Sequence, residues 1–336
     1  MVGSRFFWCA HGAFVLAGMA QTLLAFEFDR IGFARNSTNL INAVGNPLGQ
    51  FLFLAFHREA WSAWDRRLLL CAMPIVIGEL GCNFFSQVAI QKSGSGMYQL
   101  VYSFVVVLNA LLGHALLGKK LSLNRWLALA CICGAIALAS VSQLHLVGVN
   151  VVVQLEGIAA GLIATLLVAG VYVAANVLLE KPWDIRVSKA LVLAQMLGMM
   201  EVSIIGVYFL LYVMPNWDQL VVANLRPDMS IISCLGLYAF YVLICGVHQF
   251  AFYYTCSIGP TGAVSAGINK CVQTAGLFFL SSLFFCDCAA SQCLSILKVV
   301  SAVAVCTAVM AYAWLTARES RPTEIGDENE LVASTD

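Results

Sequence analysis

The chain has 336 residues, of which 61% are hydrophobic and 11% are charged, and its formal net charge is zero. A soluble domain carries about 25% charged residues, so this composition excludes an ordinary soluble protein. A neutral chain lacks the basic surface that nucleic-acid binding needs, and we expect no nucleic-acid partner. Repeated apolar runs of roughly 20 residues are long enough to cross a bilayer as helices. The sequence therefore predicts an all-α polytopic membrane protein that sits in a lipid bilayer.

In chain order, these apolar runs predict ten transmembrane helices joined by short connections. We expect the first to be a permanent span and not a signal peptide, because no small-residue cleavage site follows it. The polar, acidic segment 318–336 is predicted to be a disordered cytosolic tail. The ten spans are predicted at residues 6–26, 38–57, 68–91, 95–117, 124–144, 152–179, 188–213, 231–254, 260–285 and 292–316.

Lys and Arg are unevenly distributed between the two sides that ten spans define. With the N-terminus in the cytosol, twelve of them lie in cytosolic segments and four on the opposite side. The positive-inside rule therefore predicts that both termini are cytosolic. On the far side, Asn36 opens a glycosylation sequon, but so close to the second span that the glycosylating enzyme would reach it poorly. Cys286, Cys288 and Cys293 lie in the last far-side loop, where they either form a disulfide or remain free thiols.

The third and fourth predicted spans align with the eighth and ninth. In this alignment Asn83 falls on Gln249, and the Gly94 break between spans falls on the break at Pro260. Polar positions coincide as well as apolar ones, although chance alignment of apolar helices is the alternative. The alignment predicts two five-helix repeats, residues 1–144 and 145–317. Because five is odd, the second repeat would be inverted relative to the first, as in secondary transporters with a site near the bilayer midplane.

The ninth predicted span contains polar residues within its apolar run. Because four of them recur at every fourth position, they share one helical face: Thr261, Ser265, Asn269 and Gln273. Lys270 lies beside this face, and a lysine at the centre of a membrane helix costs about 2.5–3.5 kcal/mol. We expect Lys270 to attract an anionic group of a substrate, or alternatively to pair with a structural carboxylate or a backbone carbonyl.

The fourth predicted span has a matching polar face, which we expect to lie opposite that of the ninth span. Its residues could hold a substrate through hydrogen bonds and stacking on tyrosine, or could serve only as hydrogen bonds between helices. They are Ser95, Tyr98, Gln99, Tyr102 and Ser103. Asn83 and Gln249 are added as repeat-related candidates for substrate binding.

A carboxylate also lies midway along the third predicted span. Glu79 could carry a proton, could be the ion partner of Lys270, or could form a hydrogen bond between helices. Glu201 on the seventh span is a further carboxylate candidate. No aspartate lies inside any predicted span, and no nucleophile–base or metal-binding motif is present. We therefore predict neither an enzyme, nor a metal site, nor a cofactor.

Several motifs resemble the drug/metabolite transporter superfamily. Met97-Tyr98-Gln99-Leu100, followed by Leu117-Gly118-Lys119-Lys120-Leu121 and Trp126, is similar to its signature across the fourth and fifth spans. Gly18-Met19-Ala20-Gln21-Thr22-Leu23 and Leu179-Glu180-Lys181 resemble the F-type members of solute carrier family 35. Ala266-Gly267-Ile268-Asn269-Lys270 is similar to the nucleotide-contacting motif of GDP-mannose transporters.

This resemblance implies a ten-helix secondary carrier of a small organic metabolite that works by alternating access. For the substrate it implies nucleotide-sugar or related anion exchange, with Lys270 and Asn269 at the nucleotide. The chloroquine-resistance branch, whose members would carry peptides, amino acids or drug-like cations, is the alternative. Many nucleotide-sugar transporters have a basic residue shortly after the Tyr-Gln pair, where this chain has only uncharged residues. We expect the protein in an endomembrane, either Golgi and ER or lysosome and vacuole, and a homodimer is a candidate assembly. A non-transporting membrane scaffold is the alternative from another class.

Overall fold

A computed structural model describes residues 2–35, 40–54, 65–118, 120–144, 150–180, 189–258, 262–287, 289 and 292–319. These residues form α-helices and helical turns and contain no strand, which confirms the predicted all-α class. In chain order the helices are α1 (Val2–Arg30), α2 (Ile41–Leu54), α3 (Arg66–Ser93), α4 (Ser95–Tyr102), α5 (Val105–Leu117), α6 (Leu123–Leu144), α7 (Val151–Glu180), α8 (Lys189–Tyr208), α9 (Trp217–Leu220), α10 (Ile231–Ile258), α11 (Gly262–Phe285) and α12 (Ile296–Glu319).

Eight of the described helical segments are long and apolar enough to cross a membrane. They belong to α1, α3, α4 with α5, α6, α7, α8 with the π-helical turn Phe209–Val213, α10 and α12. These eight match eight of the ten predicted spans and support a multi-pass membrane protein. The other two predicted spans coincide with α2, which has 14 described residues, and with α11, where Val272–Phe285 forms a shorter apolar helix. Ten spans, the inverted repeat and the orientation of the termini stay predictions.

The fourth predicted span is two helices instead of one. Helix α4 ends at Tyr102 and α5 begins at Val105, so the two residues between them form a turn. The Ser103 amide donates to both Gln99 O and Leu100 O at 3.1 Å, and the Ser103 hydroxyl also donates to Gln99 O. The Phe104 and Val106 amides likewise bond to residues three positions earlier, and Ser103 and Phe104 keep right-handed helical dihedrals, so the interruption is a local tightening of the helix that no proline or glycine signals in the sequence.

Gly94 alone separates α3 from α4. Its backbone has φ +85° and ψ 159°, a conformation that is accessible essentially only to glycine. A Cβ at this position would also lie 2.6 Å from Gln292 Nε2. The glycine break that the sequence indicated is therefore present here, and it places the first turn of α4 against the loop before α12.

The helices pack in pairs whose partners are distant in sequence. Helix α3 packs along α7, α1 and α2 pack on α10, and α6 packs on α12, which also contacts the preceding helix α11. Glycine permits the closest of these approaches: a Cβ at Gly49 of α2 would lie 2.5 Å from Gly246 N and Val242 O of α10. Many large apolar side chains are exposed on the outer faces, including Leu70, Leu211 and Ile296. This distribution suits a lipid surround and leaves polar side chains for the interior.

Candidate functional site

A polar cavity of about 100 Å³ lies between α1, α2, α3, α4 and α10. Five separate helices converge on it, and most of its lining side chains are amides, hydroxyls or phenols. Such convergence of polar groups inside a helix bundle is typical of a binding site. The lining residues are Gln21, Thr22, Ala25, Asn42, Ala43, Asn46, Cys82, Asn83, Ser86, Gln87, Ile90, Tyr98, Tyr102 and Tyr241.

Asn42 links four helices at one side of the cavity. Its Nδ2 donates to Gln87 Oε1 of α3 at 2.9 Å and to Ala25 O of α1 at 3.1 Å. The Tyr241 hydroxyl of α10 donates to the Asn42 carbonyl at 3.1 Å. Asn42 is 3% exposed, and its Oδ1 has no hydrogen-bond partner among the described residues. The network thus fixes the lining and leaves one buried acceptor beside the cavity.

Two tyrosines of α4 form a further part of the lining. Tyr98 Oη donates to Ser86 Oγ at 2.9 Å, which joins α4 to α3. The Tyr98 and Tyr102 ring centroids are 5.6 Å apart, and Tyr102 is hydrogen-bonded to Tyr172 of α7. Tyr172 in turn stacks on Phe252 at 5.5 Å. The rings present both apolar faces and hydroxyl groups to a solute.

No Asp, Glu, Lys, Arg or His is among the described side chains that line the cavity. Such a lining can exchange hydrogen bonds with neutral groups and can stack on planar or cationic ones. From these residues alone, it offers no positive charge to a phosphate or a carboxylate.

The predicted residues of the fourth span divide between the cavity and the helix contacts. Tyr98 and Tyr102 line the cavity, together with the predicted Asn83 of α3. Ser95 and Ser103 instead join helices: Ser95 Oγ donates to Gln292 Oε1 at 3.1 Å, and Ser103 Oγ lies 3.0 Å from Thr274 Oγ1 of α11.

Gln99 and Gln249 do not line the cavity either. Gln99 is 2% exposed, and its Nε2 has no hydrogen-bond partner among the described residues. Gln249 is half-buried on α10. Their predicted roles in substrate binding stay predictions.

The two described side chains of the ninth predicted span's polar face, Asn269 and Gln273, lie against α1. Asn269 Nδ2 lies 2.7 Å from His11 Nδ1, and both residues are buried. A Cβ at Gly18 would collide with the Gln273 amide, so this glycine admits Gln273 to the surface of α1. Helices α4 and α11 do pack together, but through Thr274 and Ser103.

Three predicted binding residues lie wholly or partly outside the described part of the chain. Thr261 is not among the described residues. Ser265 and Lys270 belong to α11, and their side chains are outside what the structure describes. The roles of these residues therefore stay predictions.

Sequence reasoning missed most of the amides and hydroxyls in the lining. A signal was available, because Asn42 and Asn46 are spaced four residues apart on α2, and Asn83, Ser86 and Gln87 follow the i, i+3, i+4 pattern on α3. Five cavity-lining residues therefore share two short polar helix faces, neither of which carries a charge that would have drawn attention.

The carboxyl group of Glu79 lies within hydrogen-bonding reach of the carboxyl group of Glu201 on α8. Glu201 is 1% exposed, whereas Glu79 is half-buried. Cys82 lies one turn after Glu79 and also lines the cavity. Its thiol is close enough to the Glu201 carboxyl group to interact with it electrostatically. The neighbour of Glu79 in the structure is therefore another carboxyl group. The alternatives given for Glu79 from the sequence stay predictions.

In the predicted far-side loop, a disulfide links Cys286 to Cys293. Cys288 is outside the described residues. Lys298 is 2% exposed, and its Nζ donates to the Cys293 carbonyl at 2.9 Å. Of the two alternatives for these cysteines, the structure therefore has the disulfide.

No protein-family model and no curated protein matches this chain. A solved structure described as "Crystal structure of protein" is similar in fold, with a TM-score of 0.52 and 15% sequence identity. The similarity covers 91% of this chain and 99% of that chain. It shows that the helices share an arrangement with a known fold over almost the whole length, and it carries no functional statement.

Proposed function

We propose that this protein is a secondary carrier that moves a small organic metabolite across an intracellular membrane by alternating access. The observation that carries the proposal is the uncharged polar cavity on which five helices converge. A membrane protein keeps so many amides and phenols in its interior at a cost in insertion energy, and a solute pathway gives them a use. Membership of the drug/metabolite transporter superfamily, with ten helices in two inverted repeats, is part of this proposal.

The size of the cavity bears on the mechanism. About 100 Å³ is less than the roughly 300–1,000 Å³ that pockets for drug-sized ligands enclose. A metabolite would fit only after the surrounding helices separate, and the described conformation would then be a closed one. Alternating access supplies such a separation, because one group of helices rocks against the other around the site.

The lining favours a neutral or cationic solute with hydroxyl, amide or aromatic groups. Tyr98, Tyr102 and Tyr241 offer ring faces and hydroxyl groups, and Asn42 offers a buried acceptor. This chemistry suits the chloroquine-resistance alternative, whose substrates include peptides, amino acids and drug-like cations. Nucleotide-sugar exchange depends on Lys270 as the counter-charge to the phosphates.

Counterflow in proteoliposomes tests the proposal. Vesicles preloaded with one unlabelled compound from a panel of nucleotide sugars, nucleosides, amino acids, dipeptides and organic amines would be tested for uptake of the same labelled compound. We expect counterflow with at least one neutral or cationic compound. If no compound exchanges above protein-free vesicles, the carrier proposal is wrong.

Lys270→Ala separates the two substrate classes. If nucleotide sugars are the substrates, the variant should lose their exchange. The matched control is Lys92→Ala, because Lys92 is an exposed lysine at the end of α3 that pairs with Glu156. If Lys270→Ala exchanges nucleotide sugars as well as Lys92→Ala does, the role of Lys270 as phosphate ligand is wrong.

A further inference from the structure

We propose that Glu79 and Glu201 form a proton-binding acid pair that couples solute movement to a proton gradient. The proton site is inferred from the burial and the mutual contact of the two carboxyl groups, whereas the coupling rests on the proposed carrier function. The two parts are therefore tested by different experiments.

The two carboxyl groups meet deep inside the helix bundle. Glu79 is near the middle of α3, which is membrane-spanning over Arg66–Ser93, and Glu201 is near the middle of the span Val192–Val213. Their carboxyl groups are within hydrogen-bonding reach of each other. Two ionised carboxylates cannot hydrogen-bond to each other, because each only accepts. The contact therefore requires at least one proton.

A second observation concerns Glu201 alone. Its side chain is 1% exposed, and Oε1 has no hydrogen-bond partner among the described residues. A carboxylate oxygen without water or a donor is strongly disfavoured in an apolar interior. Protonation removes that charge, so burial favours the protonated form of this carboxyl group.

The described surroundings offer no cation to replace the proton. None of the ion pairs among the described side chains involves either glutamate. On α3 the titratable neighbour of the pair is the Cys82 thiol. Beyond it lie three phenols, which are uncharged at neutral pH: Tyr98 and Tyr102 of α4 and Tyr172 of α7.

Among the described side chains, no ion pair joins α1, α2 or α10 to either glutamate. Helix α2 contains no titratable residue, and its buried Gln50 donates to the Ala194 carbonyl of α8. The titratable groups that α10 directs toward α1 and α2 include Tyr238, Tyr241 and Cys245, and also His248, whose ring stacks on Phe14 and whose Nδ1 lies 2.9 Å from the Phe14 carbonyl oxygen. On α1, His11 is hydrogen-bonded to Asn269 of α11.

Cys82 connects the acid pair to the cavity. It lies one turn from Glu79, interacts electrostatically with the Glu201 carboxyl group and lines the cavity. Its Sγ lies 3.8 Å from Ser86 Oγ, which accepts the hydrogen bond of Tyr98. A change in the contact between α3 and α8 would therefore be transmitted to the cavity wall through neighbouring side chains of α3.

The proton balance of the pair has three states. With both protons bound the pair is neutral, with one proton shared between two oxygens its charge is −1, and with none it holds two anions in contact. The last state is disfavoured in the closed bundle, and opening of α3 from α8 to water would release the protons. Uptake from one side of the membrane and release to the other, with solute bound at the cavity, couples the two movements.

Carbodiimide labelling tests the proton site without any transported solute. Dicyclohexylcarbodiimide adds to a protonated carboxyl group in an apolar environment, and mass spectrometry locates the adduct. In the purified full-length protein we expect an adduct on Glu79 or Glu201, with less labelling as the pH rises from about 5 to about 9. Glu79→Gln/Glu201→Gln should lose this adduct, while the control Glu156→Gln, which replaces an exposed carboxylate, should keep it.

Three outcomes would overturn the proton site. Absence of an adduct at either residue at low pH would mean that the pair is not protonated and accessible to the reagent. Labelling that does not change with pH would mean that the pair does not titrate. Protection from labelling by Na⁺ or Ca²⁺ at constant pH would mean that the carboxylates bind a metal cation.

The coupling is tested with a compound that wild-type vesicles exchange. An inward-directed proton gradient should drive its accumulation in wild type, and Glu201→Gln should lose this accumulation while counterflow without a gradient is retained. Glu156→Gln should keep both activities. If Glu201→Gln still accumulates the compound, or wild type never does, the coupling is wrong although the carrier function stands. Absence of all counterflow in wild type contradicts the carrier function and leaves the labelling result unaffected.

Discussion

Tyr98 Oη donates a hydrogen bond to Ser86 Oγ at 2.9 Å, and this bond joins the two helices on either side of Gly94. The same phenol lines the polar cavity. Tyr98 could therefore hold a solute through its hydroxyl, or could simply fix the angle between α3 and α4. Two substitutions separate these roles, because both remove the bond but only one removes the hydroxyl from the cavity.

We expect Tyr98→Phe to raise the KM for counterflow by roughly threefold to tenfold, since one hydrogen bond contributes about 0.5–1.5 kcal/mol. Ser86→Ala should leave KM within about twofold, because the freed Tyr98 hydroxyl can still donate to the solute. Labelled-solute uptake over a range of concentrations measures both values. Equal increases in KM would show that the bond orients the helices and that the hydroxyl does not contact the solute.

Gly94→Ala should lower the thermal stability of the detergent-solubilised protein. The backbone at Gly94 costs an L-residue about 1–3 kcal/mol, and the new Cβ would also press on Gln292, which accepts the hydrogen bond of Ser95. The matched control is Gly118→Ala: Gly118 also has a positive φ, of +65°, but a Cβ there meets nothing within 4 Å. We expect Gly94→Ala to have a lower melting temperature than Gly118→Ala when unfolding is monitored by tryptophan fluorescence. Equal melting temperatures would show that neither the contact of the new Cβ with Gln292 nor the extended ψ at residue 94 lowers the stability of Gly94→Ala.

Helical periodicity assigns side chains to helix faces but does not identify the neighbours of those faces. Tyr98 and Tyr102 were predicted on the fourth span and Asn83 as a repeat-related candidate, and these three residues line the cavity. Asn269 was expected to lie opposite the face of the fourth span, yet it contacts His11 of α1. Residues three and four positions apart lie on the same face of a helix, so local sequence shows which side chains share a face. Which other helix that face contacts depends on the packing of helices that are distant in sequence, and local sequence does not show this.

The same distinction explains the acid pair and the break in the fourth span. The burial cost of a membrane carboxylate identified Glu79 as a candidate, but only the packing of α3 on α8 brings Glu201 to it. At Ser103 the helix is interrupted by hydroxyl and amide bonds to the preceding turn. Serine inside a membrane helix usually makes such bonds without ending the helix, so its presence alone predicts no break.

Gly49→Ala should weaken the packing of α2 on α10. A Cβ at Gly49 would lie 2.5 Å from two backbone atoms of α10, so the helices would have to separate. Overpacking of this kind costs about 1–3 kcal/mol, and we expect a melting temperature several degrees below that of wild type. Gly12→Ala is the control, because a Cβ at Gly12 has nothing within 4 Å and alanine favours the helix by about 1 kcal/mol. If Gly49→Ala melts as high as Gly12→Ala, the close contact between α2 and α10 is wrong.

The Cys286–Cys293 disulfide leads to two predictions, one about stability and one about the side of the membrane on which its loop lies. The bond closes a short loop, whose restriction in the unfolded state contributes about 2 kcal/mol. It also lies next to Gln292, which accepts the hydrogen bond of Ser95. We therefore expect Cys286→Ser/Cys293→Ser to melt below wild type and to be insensitive to dithiothreitol, whereas wild type loses stability when it is reduced. Cys131→Ser, which removes an exposed unpaired thiol of α6, should melt like wild type.

The side of the membrane can be tested because disulfides persist on the oxidising side, which is where the distribution of Lys and Arg predicts this loop to lie. In sealed microsomes with the cytosolic face outward, a membrane-impermeant maleimide should fail to label Cys286 or Cys293, even after treatment with a permeant reductant. Both should be labelled once detergent opens the reduced vesicles. Labelling of these residues in sealed, reduced vesicles would place the loop in the cytosol. That result would reverse the predicted orientation of every helix, including the direction in which the acid pair would take up its proton.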